Sequence, residues 1–163
     1  MPPPYVLVGH SSGGLYSLYY TKTWPDEVAA IVLVDSSHPE QMVRCREEEC
    51  QPPSAIKAML KILPEEMYGE LTGLEESGRQ VQAAEPLKQM PLIVLSRGKE
   101  ESGDQPLIKL WPELQADLAA MLPDSQHIIA DKSGHFIQQD QPELVVQAVK
   151  DVLEALKQSS QYE

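Results

Sequence analysis

Positive charge is scarce in this chain: 13 Lys and Arg stand against 25 Asp and Glu, a formal net charge of −12 at pH 7 over 163 residues. A surface this acidic repels phosphate backbones and anionic lipid headgroups, which argues against nucleic-acid partners; its ordinary consequence is solubility. Long apolar runs are also lacking. No stretch approaches the roughly 18 residues of a membrane span, so none is expected. The opening MPPPY has neither the basic nor the apolar region of a signal peptide, and the expectation is a cytoplasmic protein, unless a leader is missing. Cysteine is confined to Cys45 and Cys50, in CREEEC. Zinc would require more soft ligands nearby. The pair is read as structurally incidental, with a short disulfide as the alternative. What the chain does have is 42% hydrophobic residues, enough for a core in one domain over residues 1–163.

The apolar residues fall in alternating patterns. Residues 5–8, YVLV, read as a buried strand. Residues 12–23, SGGLYSLYYTKT, carry Leu15, Leu18 and Tyr19 at helical spacing, and Pro25 stops the element. AAIVLV at 29–34 is continuous, as in a strand covered on both faces. LIVL at 92–95 repeats that pattern and HIIA at 127–130 gives a shorter version. Between them, QPLIKLWPELQADLAAML reads as helix with an interruption at Pro112. The final QPELVVQAVKDVLEALK sets Leu144, Val145, Ala148, Val149, Val152, Leu153 and Leu156 on one stripe, an amphipathic helix. The order β-α-β-insert-β-α-β-α implies an α/β fold: a parallel sheet of about four strands with flanking helices. The insert, 36–90, is rich in Glu, Gln, Pro and Met, with SAIKAMLKIL and EEMYGELTGLEE as short helices. A helical insert after a parallel strand is expected over the carboxyl edge of the sheet, like a lid; a surface excursion is the alternative.

One motif carries chemistry. Gly9-His10-Ser11-Ser12-Gly13 fits Gly-x-Ser-x-Gly between a strand and a helix. A sharp strand-to-helix turn strains the Ser11 backbone and lifts its hydroxyl off the sheet, so bulk at Gly9 and Gly13 is expected to collide. The helix N-terminus brings backbone N–H groups, notably that of Ser12, to where an oxyanion could be stabilised. A phosphate loop is excluded because Gly14 is followed by Leu15, not by Lys-Ser/Thr. A nucleophilic serine needs a base. Of four histidines, His10 is read as facing away from the reactive oxygen, His38 follows the second strand, and His127 is read as packing. His135, in DKSGHFIQQDQPEL, sits on a loop that Gly134 frees and Phe136 anchors; it is the expected base.

YVLVGHSSGGLYSLYYTKTWPDEVAAIVLVDSSHPE and SGHFIQQDQPELVVQAVKDVL resemble the nucleophile elbow and histidine loop of the α/β-hydrolase fold, especially its esterase, lipase and dehalogenase-like members. The resemblance covers nearly the whole chain, with 36–90 at the cap position. It implies a Ser-acid-His order and an acid after one of two strands. Asp35, ending IVLVD, is favoured; Glu101 and Asp104, in RGKEESGDQ, are the alternatives. It also implies that the elbow strand is the fifth of eight, so this chain looks like a C-terminal half, without the His-Gly loop that supplies the second oxyanion donor. The expectations that follow are self-association through edge strand 5–8 and slowed catalysis. The implied function is a serine hydrolase of an ester or related small-molecule acyl substrate, with no metal or organic cofactor. A catalytically impaired remnant or interaction module using the same half-fold is the alternative. Dehalogenase chemistry is disfavoured, since its nucleophile is Asp.

Overall fold

The computed structural model describes residues 2–47, 64–99 and 106–159. Four strands form one parallel sheet in the order β1-β2-β3-β4: Tyr5–His10, Val28–Val34, Leu92–Arg97 and Gln126–Ala130. The helices are α1 (Ser12–Thr23), α2 (Gln41–Glu47), α3 (Glu65–Ala83), α4 (Pro106–Ala119), α5 (Ile137–Asp140) and α6 (Pro142–Ser159), with a 3-10 turn at Pro25–Glu27. This is the expected α/β arrangement, and each predicted strand lies where its apolar run is.

The sheet is covered on both faces, and strand periodicity divides its side chains between them. Ile31, Leu33, Leu92 and Val94 pack with Leu15 and Leu18 of α1, Val81 of α3 and Leu118 of α4. Val32, Val34, Ile93 and Leu95 pack with Ile137 of α5 and Ala148 and Val152 of α6. The continuous run of β2 is what a strand apolar on both faces requires. On α6, Leu144, Val145, Val149 and Leu156 border this second cluster, whereas Leu153, assigned to the same stripe, is turned outward and 43% exposed.

Three further expectations are corrected. β1 lies at the sheet edge as expected, but it is not buried, and Val8 is 48% exposed. α4 runs through Pro112 without a break. The ring removes one backbone bond, but Leu110, Trp111, Leu114 and Leu118 are buried, and tertiary packing outweighs local propensity. Cys45 is disulfide-bonded, the alternative to an incidental thiol. Within 36–90, EEMYGELTGLEE opens α3, which continues to Ala83; SAIKAMLKIL lies outside the described residues. α3 packs beside α1, with Leu74 and Val81 at the first cluster and Lys22 Nζ donating to Val81 O at 2.5 Å. No helix among the described residues is long and apolar enough to cross a membrane.

Candidate active site

The carboxyl ends of β1, β2 and β3 meet at one rim. Ser11 stands at the turn from β1 into α1 with φ 55° and ψ −127°. This left-handed conformation is costly for a residue with a Cβ, and surrounding bonds must enforce it. They do so through the backbone: Ser11 N–H donates to Val34 O at 3.2 Å, and Ser11 O accepts from Gly14 N and Ser37 N, each at 3.0 Å. The elbow is thus stapled to the segment that leaves β2. Ser12 is the first residue of α1, where the helix dipole is positive.

The glycines act differently from the motif's expectation. A Cβ on Gly9 would lie 2.6 Å from Gly13 O and 2.7 Å from Gly14 Cα, and one on Gly14 would lie 1.8 Å from Ser36 Oγ. A Cβ on Gly13 meets nothing within 4 Å. The close approach is therefore strand-to-helix at Gly9 and helix-to-loop at Gly14, while Gly13 faces open space.

Asp35 follows β2 and is fully buried. It too has a left-handed backbone, φ 42°, and its N–H donates to Leu95 O at 2.7 Å. Its Oδ1 accepts from Arg97 N at 3.0 Å and Trp111 Nε1 at 2.9 Å. Its Oδ2 lies 2.6 Å from His135 Nδ1 and 3.7 Å from Arg97 Nη1. A carboxylate can only accept, so His135 Nδ1 carries the hydrogen and Nε2 is left to accept a proton. His135 comes from the loop between β4 and α5, and Asp140 Oδ2 pins that loop by accepting from Gly134 N at 3.1 Å. The structure brings Asp35 and His135 into contact across 100 residues of chain. Among the described residues no hydrogen bond joins the Ser11 hydroxyl to His135.

His10 was not expected here. Its ring lies 4.6 Å from that of His135, and its Nε2 donates to His135 O at 2.9 Å. It thereby ties the elbow to the histidine loop. Burial is the main cause lowering the His10 pKa below its usual value, so a neutral ring faces His135. The residue x of Gly-x-Ser-x-Gly has no prescribed side chain, which is why the motif gave no hint. Trp111 and Arg97 are also absent from any motif. Arg97 lies 4.5 Å above the Trp111 ring centroid, and only the fold carries both to Asp35. The other histidines are engaged elsewhere: buried His38 accepts from Glu40 N through Nδ1 at 3.0 Å, and His127 pairs with Ser96 Oγ at 2.7 Å. Glu101 and Asp104 lie outside the described residues.

Comparison with known proteins gives a consistent family. Residues 1–148 match the sequence profile described as the alpha/beta hydrolase family. The chain is 29% identical over 155 residues to YqjL, an uncharacterized protein of Bacillus subtilis strain 168; the match takes in 92% of this chain and 57% of that one. The chain thus spans little more than half the length of that relative. A thermophilic esterase from Thermogutta terrifontis superposes with a TM-score of 0.55 at 22% identity, over 94% of this chain and 66% of its own. The alpha/beta hydrolase enzyme MGS-MChE2, from a sediment metagenome of the Mar Chica lagoon, Morocco, gives 0.57 at 21% identity, over 92% and 61%.

Proposed function

The chain belongs to the α/β-hydrolase family, and we propose that it is a serine hydrolase of an ester or related acyl substrate. Ser11 Oγ attacks the acyl carbon while His135 Nε2 takes its proton. The tetrahedral oxyanion is met by the Ser12 N–H at the start of α1. Collapse breaks the bond to the leaving alcohol, which receives the proton back from His135. Water, deprotonated by the same nitrogen, then releases the acid and restores Ser11. Asp35 keeps the imidazole in the tautomer that leaves Nε2 basic and stabilises the imidazolium formed in both steps. No metal or organic cofactor is needed.

The observation that carries this reading is the 2.6 Å contact between His135 Nδ1 and the fully buried Asp35, at the rim where Ser11 is forced into a left-handed turn. A buried carboxylate is stable only when paired and hydrogen-bonded, and this one directs its charge at a half-buried imidazole. The esterase named among the superposable structures agrees with an acyl substrate. A rival reading, an interaction module without catalysis, takes its support from the missing Ser11–His135 hydrogen bond. Such bonds are often long before substrate binds, so the geometry favours the hydrolase.

A fluorophosphonate probe separates the two. The folded parent is expected to be labelled at Ser11, Ser11→Ala not at all, and His135→Ala at a rate reduced by orders of magnitude. A folded parent that stays unlabelled overturns the hydrolase. The small-molecule partner is joined in this proposal by a second copy of the chain. β1 is an edge strand with Val8 half exposed, and such edges pair. Light scattering should show mass rising with concentration; a single-chain mass throughout removes that part.

A further inference from the structure

Building on the hydrolase reading, we propose that Trp111 is a positioning residue: its indole N–H fixes the Asp35 carboxylate so that Oδ2 alone serves His135. An aspartate's terminal torsion is broad and nearly two-fold, so the bond to His135 does not by itself decide which oxygen faces the imidazole. The bonds at Oδ1 do. Trp111 Nε1 at 2.9 Å and Arg97 N at 3.0 Å both donate there, which leaves Oδ2 to His135 at 2.6 Å. Of the two donors, the Arg97 N–H is fixed by the sheet, whereas the indole is a side chain on α4, 76 residues away in sequence.

Trp111 suits this task for chemical reasons. Indole nitrogen only donates, so it cannot compete with His135 for a proton. It is uncharged, so it draws on the carboxylate without neutralising it. It is buried, so water cannot replace it, and its ring meets that of His135 edge-on, with centroids 6.2 Å apart at 84°. The guanidinium of Arg97 covers the indole face. Among the described residues, the charged and titratable groups shown against His135 or its loop are Asp35 after β2, His10 from β1, Arg97 from β3 through Asp35, and Asp140 from α5 through Gly134. Trp111→Phe removes none of these groups and keeps an aromatic ring, a smaller one, beneath Arg97.

Removing the indole donor frees the carboxylate to turn about its terminal torsion, so that Oδ2 is no longer held at His135. The test reads this without relying on activity. The chain has two tryptophans, Trp24 and Trp111, so a proton–nitrogen correlation spectrum shows two indole signals, and Trp24→Phe assigns them. The Trp111 signal should move with pH at the midpoint of the His135 ring, and His135→Gln should abolish the movement. Trp111→Phe should slow fluorophosphonate labelling about tenfold and change the pH dependence of that labelling. Labelling in folded Trp111→Phe at the parent's rate and with the parent's pH profile, or a Trp111 signal in the parent that ignores the His135 titration, overturns the proposal. The parent titration decides the matter even where the variant does not fold. Coupled titrations in an unlabelled parent would sink the hydrolase and leave this inference standing; labelling with an indole blind to His135 would do the reverse.

Discussion

Two turns of this molecule carry non-glycine residues at positive φ among the described residues, Ser11 after β1 and Asp35 after β2, and they are held in opposite ways. Ser11 is fixed by its main chain: its N–H and C=O make three bonds to Val34, Gly14 and Ser37, while its hydroxyl makes none to His135. Asp35 is fixed largely through its side chain, whose two oxygens meet Trp111, Arg97 and His135. Under the proposed hydrolase function the difference corresponds to two tasks. A nucleophile must present an unencumbered atom from a rigid base. An orienting acid must be immobile at the atom that does the orienting. Both turns are strained, and each supports the other, since Ser11 bonds to the residues on either side of the Asp35–Ser36 step.

The sharpest way to break that comparison is at the acid. Asp35→Ala removes the acceptor of two N–H groups and the partner of His135. Deleting one member of a buried, hydrogen-bonded set costs about 3–5 kcal/mol, so urea unfolding should show a large loss of stability. Asp35→Asn retains an acceptor for Trp111 and Arg97 but offers an N–H to His135 Nδ1, forcing the wrong tautomer. It should keep most of the stability and lose about 10⁴ in labelling rate, the scale of the same change in a protease triad. Equal stability losses in Asp35→Ala and Asp35→Asn would mean that Asp35 is not held through its side chain. The corresponding change at the other turn, Ser11→Ala, should leave the unfolding midpoint close to the parent's, because the bonds that hold Ser11 belong to its backbone.

The contrast between the two turns also explains what was legible beforehand. The strands announce themselves because Ile31 to Val34 and Leu92 to Leu95 are apolar at every position, a pattern that a sheet covered on both faces demands. Ser11 was legible because a left-handed serine between strand and helix needs small neighbours, and that need is written in adjacent residues. His135 could be named as a candidate because loops at carboxyl strand ends gather at one rim, and Asp35 through the resemblance to the family. Their partners could not be read. Trp111 reaches Asp35 only because α4 folds back over β3, and nothing local to LWPEL records that. Pro112 pointed to a break, and what held the helix together was the burial of Leu114 and Leu118, a tertiary term. The contact of His10 with His135 was not legible for a related reason: alternation along a strand says which face a side chain takes, but not which loop will arrive there.

The smallest expected effect tests the elbow itself, where the motif and the geometry disagree. Gly-x-Ser-x-Gly treats Gly9 and Gly13 as equivalent. In the fold Gly9 and Gly14 are the crowded positions and Gly13 is open. At Gly9 the obstructing atoms are Ser17 Oγ and the backbone of α1 at Gly13 and Gly14, and that backbone cannot rotate aside; at Gly14 the nearest are Oγ and Cβ of fully buried Ser36. Gly9→Ala and Gly14→Ala should therefore each lower stability by about 1–3 kcal/mol, the usual cost of forcing a methyl into a packed interior. Gly13→Ala should go the other way. It lies inside α1 with no left-handed φ and with free space at its Cβ, and alanine gains up to about 1 kcal/mol over glycine in a helix. Urea midpoints of the three variants decide between the two accounts. The order Gly13→Ala above parent above Gly14→Ala supports steric crowding at the helix–loop contact. A Gly13→Ala variant as unstable as Gly9→Ala would restore the motif's symmetry and overturn the steric account.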